Sequence, residues 1–293
     1  MRLKLRVTLL LAVLGVSASC SAAPVTILSP DSVAKPAQHE PPESETAQIR
    51  RVHLKRLDDR LTIPHNDLKA QCRYESDIST APPAKHVVLT FDDGPDATQT
   101  EFILETLGKY KINATFFMIG DKMERHPELV AKVRAAGNQV IGNHSWNHPN
   151  FHDISPSEQI TEIDKVETVG IDTAPLKVFR YPYGNSTCEA NDYLHRHGYR
   201  IVGWHVDTCD WAFDKTGEVD VKEAISCEVL PQYRDNFAGH VVSSVRAHNG
   251  GIVLMHEIHP NTLKKLDEII TTLIADGFVF GSIEDTDFQN DLR

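Results

Sequence analysis

No apolar stretch in the sequence is long enough to cross a bilayer as a helix, which takes about 20 consecutive apolar residues. The longest, Val7–Val16, falls well short. Arg2, Lys4 and Arg6 precede it and small residues follow as far as Ala23, the layout of a secretory signal peptide. The chain is therefore expected to be exported to the periplasm, the cell envelope or the medium, with residues 1–23 forming the leader. Cleavage is expected near Ala22 or Ala23. The alternative is lipoprotein anchoring at Cys20, but Ser17-Ala18-Ser19 lacks the leucine usual three residues before a lipidated cysteine.

A basic excess is missing too. Against 30 lysines and arginines stand 41 acidic residues, a formal charge of −11, and loss of the three basic leader residues makes it −11 − 3 = −14. That field repels nucleic acid and anionic lipid, so neither is an expected partner. No glycine-rich phosphate cradle and no internal repeat occur. Cysteine is sparse. Setting Cys20 aside leaves Cys72, Cys188, Cys209 and Cys227, an even number in an exported chain and enough for two disulfides, with three pairings open and free buried thiols as the alternative.

What is present divides into two regions. Residues 24–84 are rich in proline and charge and poor in aromatics, as at Pro36, Pro41, Pro42 and Glu43, and read as an export linker with a short helix around Thr46–Leu61. From Lys85 short apolar runs alternate with helical patterns: strands at Val87–Phe91, Thr115–Ile119, Gln139–Ile141, Val178–Arg180, Arg200–His205, Gly251–Leu254 and Phe278–Phe280. Helices are expected between them at Thr98–Tyr110, Pro127–Ala136, Pro156–Val169, Glu189–His197 and Leu263–Ala275. The alternation predicts an α/β fold with parallel strands over residues 85–285, followed by a tail at 286–293. Ala212–Asn249 exceeds a simple crossover and is expected to be an elaborated loop region over or beside the site.

Polar residues gather just after the strands: Asp92 and Asp93, His144, Tyr183, Asp207–Trp211 and His256. Ligands in parallel α/β folds sit at the carboxyl ends of strands, so these clusters point to one shared site. His144 and His148 stand four residues apart, which on a helix would place both on one face for a shared cation, and a carboxylate from Asp92 or Asp93 would complete a three-ligand set with an open position. His148 with His152 has the same spacing, and the ordinary reading of either pair is a set of hydrogen-bonded histidines. The ordinary reading of Asp92-Asp93 is a helix cap, which leaves two adjacent like charges beside a buried strand unexplained. Arg180 after its strand could snorkel at the surface or hold a carboxylate ionised in a cleft, and His256 could be a core histidine on a backbone carbonyl.

Taken in order, Thr90–Pro95, His144–His148, Arg180–Gly184, Asp207–Trp211 and Leu254–His256 resemble the five motifs of the polysaccharide deacetylase family, the NodB-homology domain of carbohydrate esterase family 4. The resemblance spans about Lys85 to Ile283 and implies a distorted, incomplete (β/α) barrel of the NodB-homology type. It implies that Asp93, His144 and His148 bind a divalent metal, Zn2+ in most relatives, with Co2+, Ni2+ and Mn2+ as the other candidates. It implies Asp92 as general base with Arg180 as its charge partner, the backbone N–H of Tyr183 as an oxyanion donor, and His256 as general acid oriented by Asp210. Trp211 and Leu254 are implied to line an acetyl pocket.

The implied activity is removal of N-acetyl groups from N-acetylglucosamine units of peptidoglycan, chitin or its oligomers, or an exopolysaccharide, so the implied partner is an acetylated glycan. An O-acetyl esterase, such as an acetyl-xylan esterase, is the second reading, and an inactive glycan-binding relative the third. Glu257 departs from the aspartate that many relatives carry after the last histidine, and is expected to stay clear of the chemistry. A disulfide between Cys188 and Cys209, both in or just after these blocks, is expected to brace the rim.

Overall fold

The strands are β1 (His86–Gly94), β2 (Ala114–Met118), β3 (Val140–Asn143), β4 (Lys177–Phe179), β5 (Tyr199–Ile201), β6 (Val206–Asp207), β7 (Gly251–His256) and β8 (Val279–Phe280). They belong to a computed structural model that describes residues 43–61, 72–171 and 176–293. The expected signal peptide with Cys20, and the part of the expected linker up to residue 42, lie outside the described residues. The strands pair in the order β5-β4-β3-β2-β1-β7-β6, and β8 joins the start of β1. Every pairing is parallel. The sheet curls into an incomplete (β/α) barrel, as expected.

Period-two alternation sorts β1 between two environments. Val87, Leu89 and Phe91 join the apolar layer under the helices. Val88 joins a second cluster with Phe117, Val140, Val178, Val202 and Ile252, which fills the inside of the curl. By the same alternation Thr90 and Asp92 face the inside of the curl. The outer layer is supplied by α2 (Thr100–Tyr110), α3 (Gly120–Arg125), α4 (Pro127–Ala135), α5 (Pro156–Glu167), α6 (Cys188–Arg196) and α10 (Pro260–Ala275).

The expected strand Arg200–His205 is split. β5 is one edge of the sheet and β6 the other, so Val202–His205 carries the chain across the barrel's open seam. Segments from both ends of the folded unit line this seam. Trp204 N–H donates to Ser76 O at 2.9 Å and Ile78 N–H to Trp204 O at 2.8 Å. Ile201 and Arg293 exchange both backbone hydrogen bonds, at 2.6 and 3.0 Å. Gly203 is required here, since a Cβ would lie 2.0 Å from Ser76 O. The compact unit accordingly runs from Glu43 to Arg293 and takes in residues that the sequence reading places in a linker and a tail.

Ala212–Asn249 is not a loop region. It lies within a helical crossover made by α7 (Asp210–Thr216), α8 (Val221–Cys227) and α9 (Phe237–His248). A capping box between Asp220 and Glu223 starts α8 and Asn236 caps α9, while Phe213, Val241 and Val245 are buried in the core. The helix expected in the linker is α1 (Glu45–Leu61), whose Ile49 is buried and whose Glu45 pairs with Arg234 at 3.3 Å.

The disulfides are Cys72–Cys188 and Cys209–Cys227. The expected Cys188–Cys209 bridge is absent, because each cysteine pairs with one outside the motif blocks: Cys188, which opens the helix after β4, with Cys72 ahead of β1, and Cys209, after β6, with Cys227 at the end of α8.

Candidate active site

Two adjacent carboxylates reach one site because β1 ends in a bulge. The β1–β2 register runs from Asp92↔Phe117 to Gly94↔Met118 and skips Asp93. Asp93 sits in the left-handed region at φ 70°. A bulge re-aims the extra residue, so the side chain that would have pointed into the helix layer turns back beside its neighbour. Asp93 Oδ1 then lies 3.5 Å from His144 Nε2 and 3.2 Å from His148 Nε2, while Asp92 Oδ2 is 3.6 Å from His144 Nε2.

The two histidines do not share a helix face. His144 is the first residue after β3, and His148 lies beyond a loop with left-handed residues at Ser145 (φ 66°) and His148 (φ 59°). Asn143 Oδ1 accepts from Ser145 N–H at 2.9 Å, and Glu162 Oε2 accepts from Trp146 N–H at 2.9 Å and Asn147 N–H at 2.7 Å. Lys122 Nζ holds the Asp93 carbonyl at 2.7 Å. No spacing rule pointed to Asn143, Glu162 or Lys122, because each acts from a different element. His152, the alternative partner of His148, instead uses Nε2 on the carbonyls of Arg73 and Ser186, at 2.8 and 3.0 Å.

Asp93, His144 and His148 suit a metal ion. One ligand atom of each lies within 4.8 Å of the others. Asp93 Oδ1 is buried without a hydrogen-bond partner. His144 Nδ1 donates to Arg180 O at 2.8 Å, which selects the tautomer whose lone pair is on Nε2, the nitrogen that faces Asp93. Burial foremost pushes His148 down to about 4, which leaves it a neutral imidazole.

Arg180 is fully buried and its guanidinium is spent on this site. Nη1 donates to Asp92 Oδ1 at 2.8 Å and to Thr90 Oγ1 at 2.6 Å. Nε and Nη2 donate to the carbonyls of Val202 and Gly203 at 3.1 and 3.0 Å, tying the seam to β1. The guanidinium carbon stands 4.2 Å from the centroid of the Phe117 ring.

A second pair stands at the end of β7. His256 Nδ1 meets Asp210 Oδ1 at 2.7 Å, while Asp210 Oδ2 accepts from His256 N–H and Thr262 Oγ1, both at 2.7 Å. Burial alone would lower His256; the Asp210 charge and hydrogen bond outweigh it and push it up to about 10. Asp210 starts α7 directly after Cys209, itself left-handed at φ 57° and disulfide-bonded. Asp207 Oδ1 accepts from Cys209 N–H at 2.8 Å and completes that turn.

The remaining expected residues are spread around this centre. Tyr183 has φ 58° in the turn after Arg180, and its exposed ring meets His148 edge-on at 4.8 Å. Leu254 is buried on β7, in register with Thr90 and Asp207. Trp211 follows Asp210 and packs against the main core, with Lys215 Nζ 4.6 Å from its ring centroid. Glu257 stays out of the cleft. It is buried under the Gly94 turn, where a glycine Cβ would come within 2.2 Å of its carboxylate, and it accepts from Thr100 Oγ1 at 2.7 Å.

The polysaccharide deacetylase family matches residues 79–202. The peptidoglycan-N-acetylglucosamine deacetylase PgdA of Listeria monocytogenes is 34% identical over 211 residues, 71% of this chain and 40% of that protein. A peptidoglycan-N-acetylglucosamine deacetylase of Bacillus cereus is 31% identical over 209 residues, 69% of this chain and 87% of the relative. The family 4 carbohydrate esterase of Streptomyces lividans, solved with acetate, superposes with a TM-score of 0.55 at 29% identity, over 68% of this chain and 93% of the esterase. The chain thus spans about 40% of the length of the Listeria relative and most of the Bacillus one. With the sheet, the carboxylate–histidine cluster and the matched relatives in agreement, this chain is a member of the polysaccharide deacetylase family, within carbohydrate esterase family 4.

Proposed function

We propose that the protein is an exported, metal-dependent deacetylase that removes N-acetyl groups from N-acetylglucosamine units of a glycan, with peptidoglycan as the first substrate to test. One observation carries the reading: the Asp93, His144 and His148 cluster sits between a carboxylate held by arginine and an imidazole held by aspartate. The Listeria and Bacillus relatives are named for N-acetylglucosamine in peptidoglycan, which supports that substrate class. Two disulfides and the signal-like N-terminal sequence support export.

Asp93, His144 and His148 would hold the metal, with Zn2+ the best match to two imidazoles and one carboxylate and Co2+, Ni2+ or Mn2+ as alternatives. When bound, the metal supplies Lewis-acid polarisation of the acetyl carbonyl and acidifies water. Asp92, held by Arg180 at one oxygen, takes the proton of the attacking water with the other. The water oxygen bonds to the acetyl carbon, and Tyr183 N–H donates to the oxygen that gains charge. His256, its Nδ1 held by Asp210, gives the Nε2 proton to the amine as the C–N bond breaks. The products are acetate and a glucosamine unit. Leu254 and Trp211 border the acetyl methyl.

The test is acetate release from purified peptidoglycan, N-acetylchitooligosaccharides and acetylated xylan, before and after chelation. Chelator-sensitive release from an N-acetylated glycan is the expected result. Release from xylan alone would replace the reading with O-acetyl esterase activity, and glycan binding without release would make the chain an inactive relative.

A further inference from the structure

The rim of the cleft carries an aromatic side chain that none of the five sequence motifs contains. Tyr74 lies outside the family match at 79–202. Its segment is nevertheless stitched to the turn that bears Tyr183. Glu75 N–H donates to Gly184 O at 2.9 Å, Ser186 N–H donates to Arg73 O at 3.1 Å, and Tyr74 forms an antiparallel bridge with Asn185. Gly184, at φ 67°, permits this approach, since a Cβ there would lie 2.5 Å from Ser76 Cβ. The Cys72–Cys188 disulfide fastens the same segment to the start of α6.

This stitching sets two partly exposed tyrosine rings along one loop, with the Arg73 guanidinium carbon 5.7 Å from the centroid of the Tyr74 ring. Tyr74 is 39% exposed and Tyr183 65% exposed. Tyr183 meets His148 edge-on at 4.8 Å, and Tyr74 meets His152 edge-on at 5.5 Å. His148 and His152 belong to the loop that brings His148 to Asp93. Neither tyrosine is needed to fill the core, and each stands on backbone fixed by hydrogen bonds. A ring held this way offers wide amphipathic contact at low entropic cost, since only two side-chain torsions must be ordered. The C–H face of a pyranose packs on such a ring while its hydroxyls stay in water.

We propose that Tyr74 and Tyr183 form a binding subsite for a sugar residue flanking the one deacetylated, so that Tyr74 is a specificity-determining residue for glycan length. The ligand class is an uncharged pyranose within a β-linked amino-sugar chain. The proposal rests on the deacetylase reading and extends it to a segment outside the catalytic motifs.

The full chain is compared with Tyr74→Ala and Tyr74→Phe on N-acetylchitooligosaccharides from dimer to hexamer, reading kcat and KM from acetate release and affinity from calorimetry. For Tyr74→Ala the hexamer-to-dimer ratio of kcat/KM falls about tenfold, ~1.4 kcal/mol, mainly through KM, and hexamer affinity falls in parallel. Tyr74→Phe keeps the ratio near wild type. An unchanged ratio in Tyr74→Ala overturns the proposal. So does an equal loss at every length, which would make the residue a structural brace. If wild type releases no acetate from the oligomers or from peptidoglycan, the deacetylase reading fails, and hexamer affinity alone then decides the subsite: equal binding by wild type and Tyr74→Ala rejects it.

Discussion

Arg180 and Asp92 meet at 2.8 Å with side chains only 0% and 4% exposed, so the charge beside the candidate metal ligands has almost no access to water. The strand end therefore tolerates adjacent carboxylates through two separate devices. Asp92 is neutralised from inside the barrel by a guanidinium, and Asp93 is turned by a bulge toward imidazoles. Removing the arginine leaves a buried anion unpaired and also frees the carbonyls of Val202 and Gly203. Arg180→Ala should destabilise the fold by about 3–5 kcal/mol, lowering the thermal midpoint by several degrees or more and abolishing turnover. Thermal denaturation followed by circular dichroism checks this; a midpoint within a degree of wild type would show that the pair is not structural.

The two acids should separate cleanly in function. Asp93→Asn removes the anionic ligand and should release metal on dialysis against a weak chelator. Asp92→Asn should keep the metal and lose turnover by at least about a hundredfold, the scale of a missing general base. Metal content per chain and acetate release from the same preparations decide between them. Equal metal loss in both variants would mean that the roles are wrongly divided.

These assignments show which parts of the site were legible along the chain. The apolar run Val87–Phe91 ending in two carboxylates is a short-range pattern, and it puts Asp92 at a strand end without any structure. The convergence of Asp93 was not legible in that way, because it depends on a bulge and a left-handed φ. Helical spacing gave a false reason for His144 and His148: a loop held by Glu162 brings them together. The seam was hidden because Ser76, Trp204, Ile201 and Arg293 pair across more than ninety residues. The Cys188–Cys209 expectation failed similarly, since the true partner of Cys188 is Cys72, 116 residues away and outside every motif.

The disulfides should differ in what they protect. By loop entropy, the Cys72–Cys188 bridge, closing 116 residues, contributes about 5 kcal/mol and Cys209–Cys227, closing 18, about 3 kcal/mol. Removing the longer loop's bridge by Cys72→Ala with Cys188→Ala should give the larger fall in thermal midpoint. The Cys209→Ala, Cys227→Ala double variant should give the larger fall in kcat per folded molecule, because Cys209 precedes Asp210. Calorimetry and active-site-normalised kinetics on both variants test the contrast. The same order of loss in both measurements would rule out this division.

His256 and Asp210 should set the alkaline limit of the reaction. In the proposed chemistry His256 must be protonated to give a proton to the amine, and its Asp210 partner pushes its pKa up to about 10, above the ordinary value of 6.5. A raised folded pKa means that the imidazolium–carboxylate pair stabilises the fold fully below pH 6.5, and that this contribution is lost as pH rises toward 10. Asp210→Asn removes the largest influence raising His256, so burial should bring its pKa down. The alkaline limb of kcat should then move toward neutral pH by at least one unit, while stability loses its decline between pH 6.5 and 10. Profiles of kcat and of urea midpoint against pH, from 5 to 10.5, measure both. A limb that stays in place in Asp210→Asn would assign the alkaline titration to another group and remove His256 from the acid role.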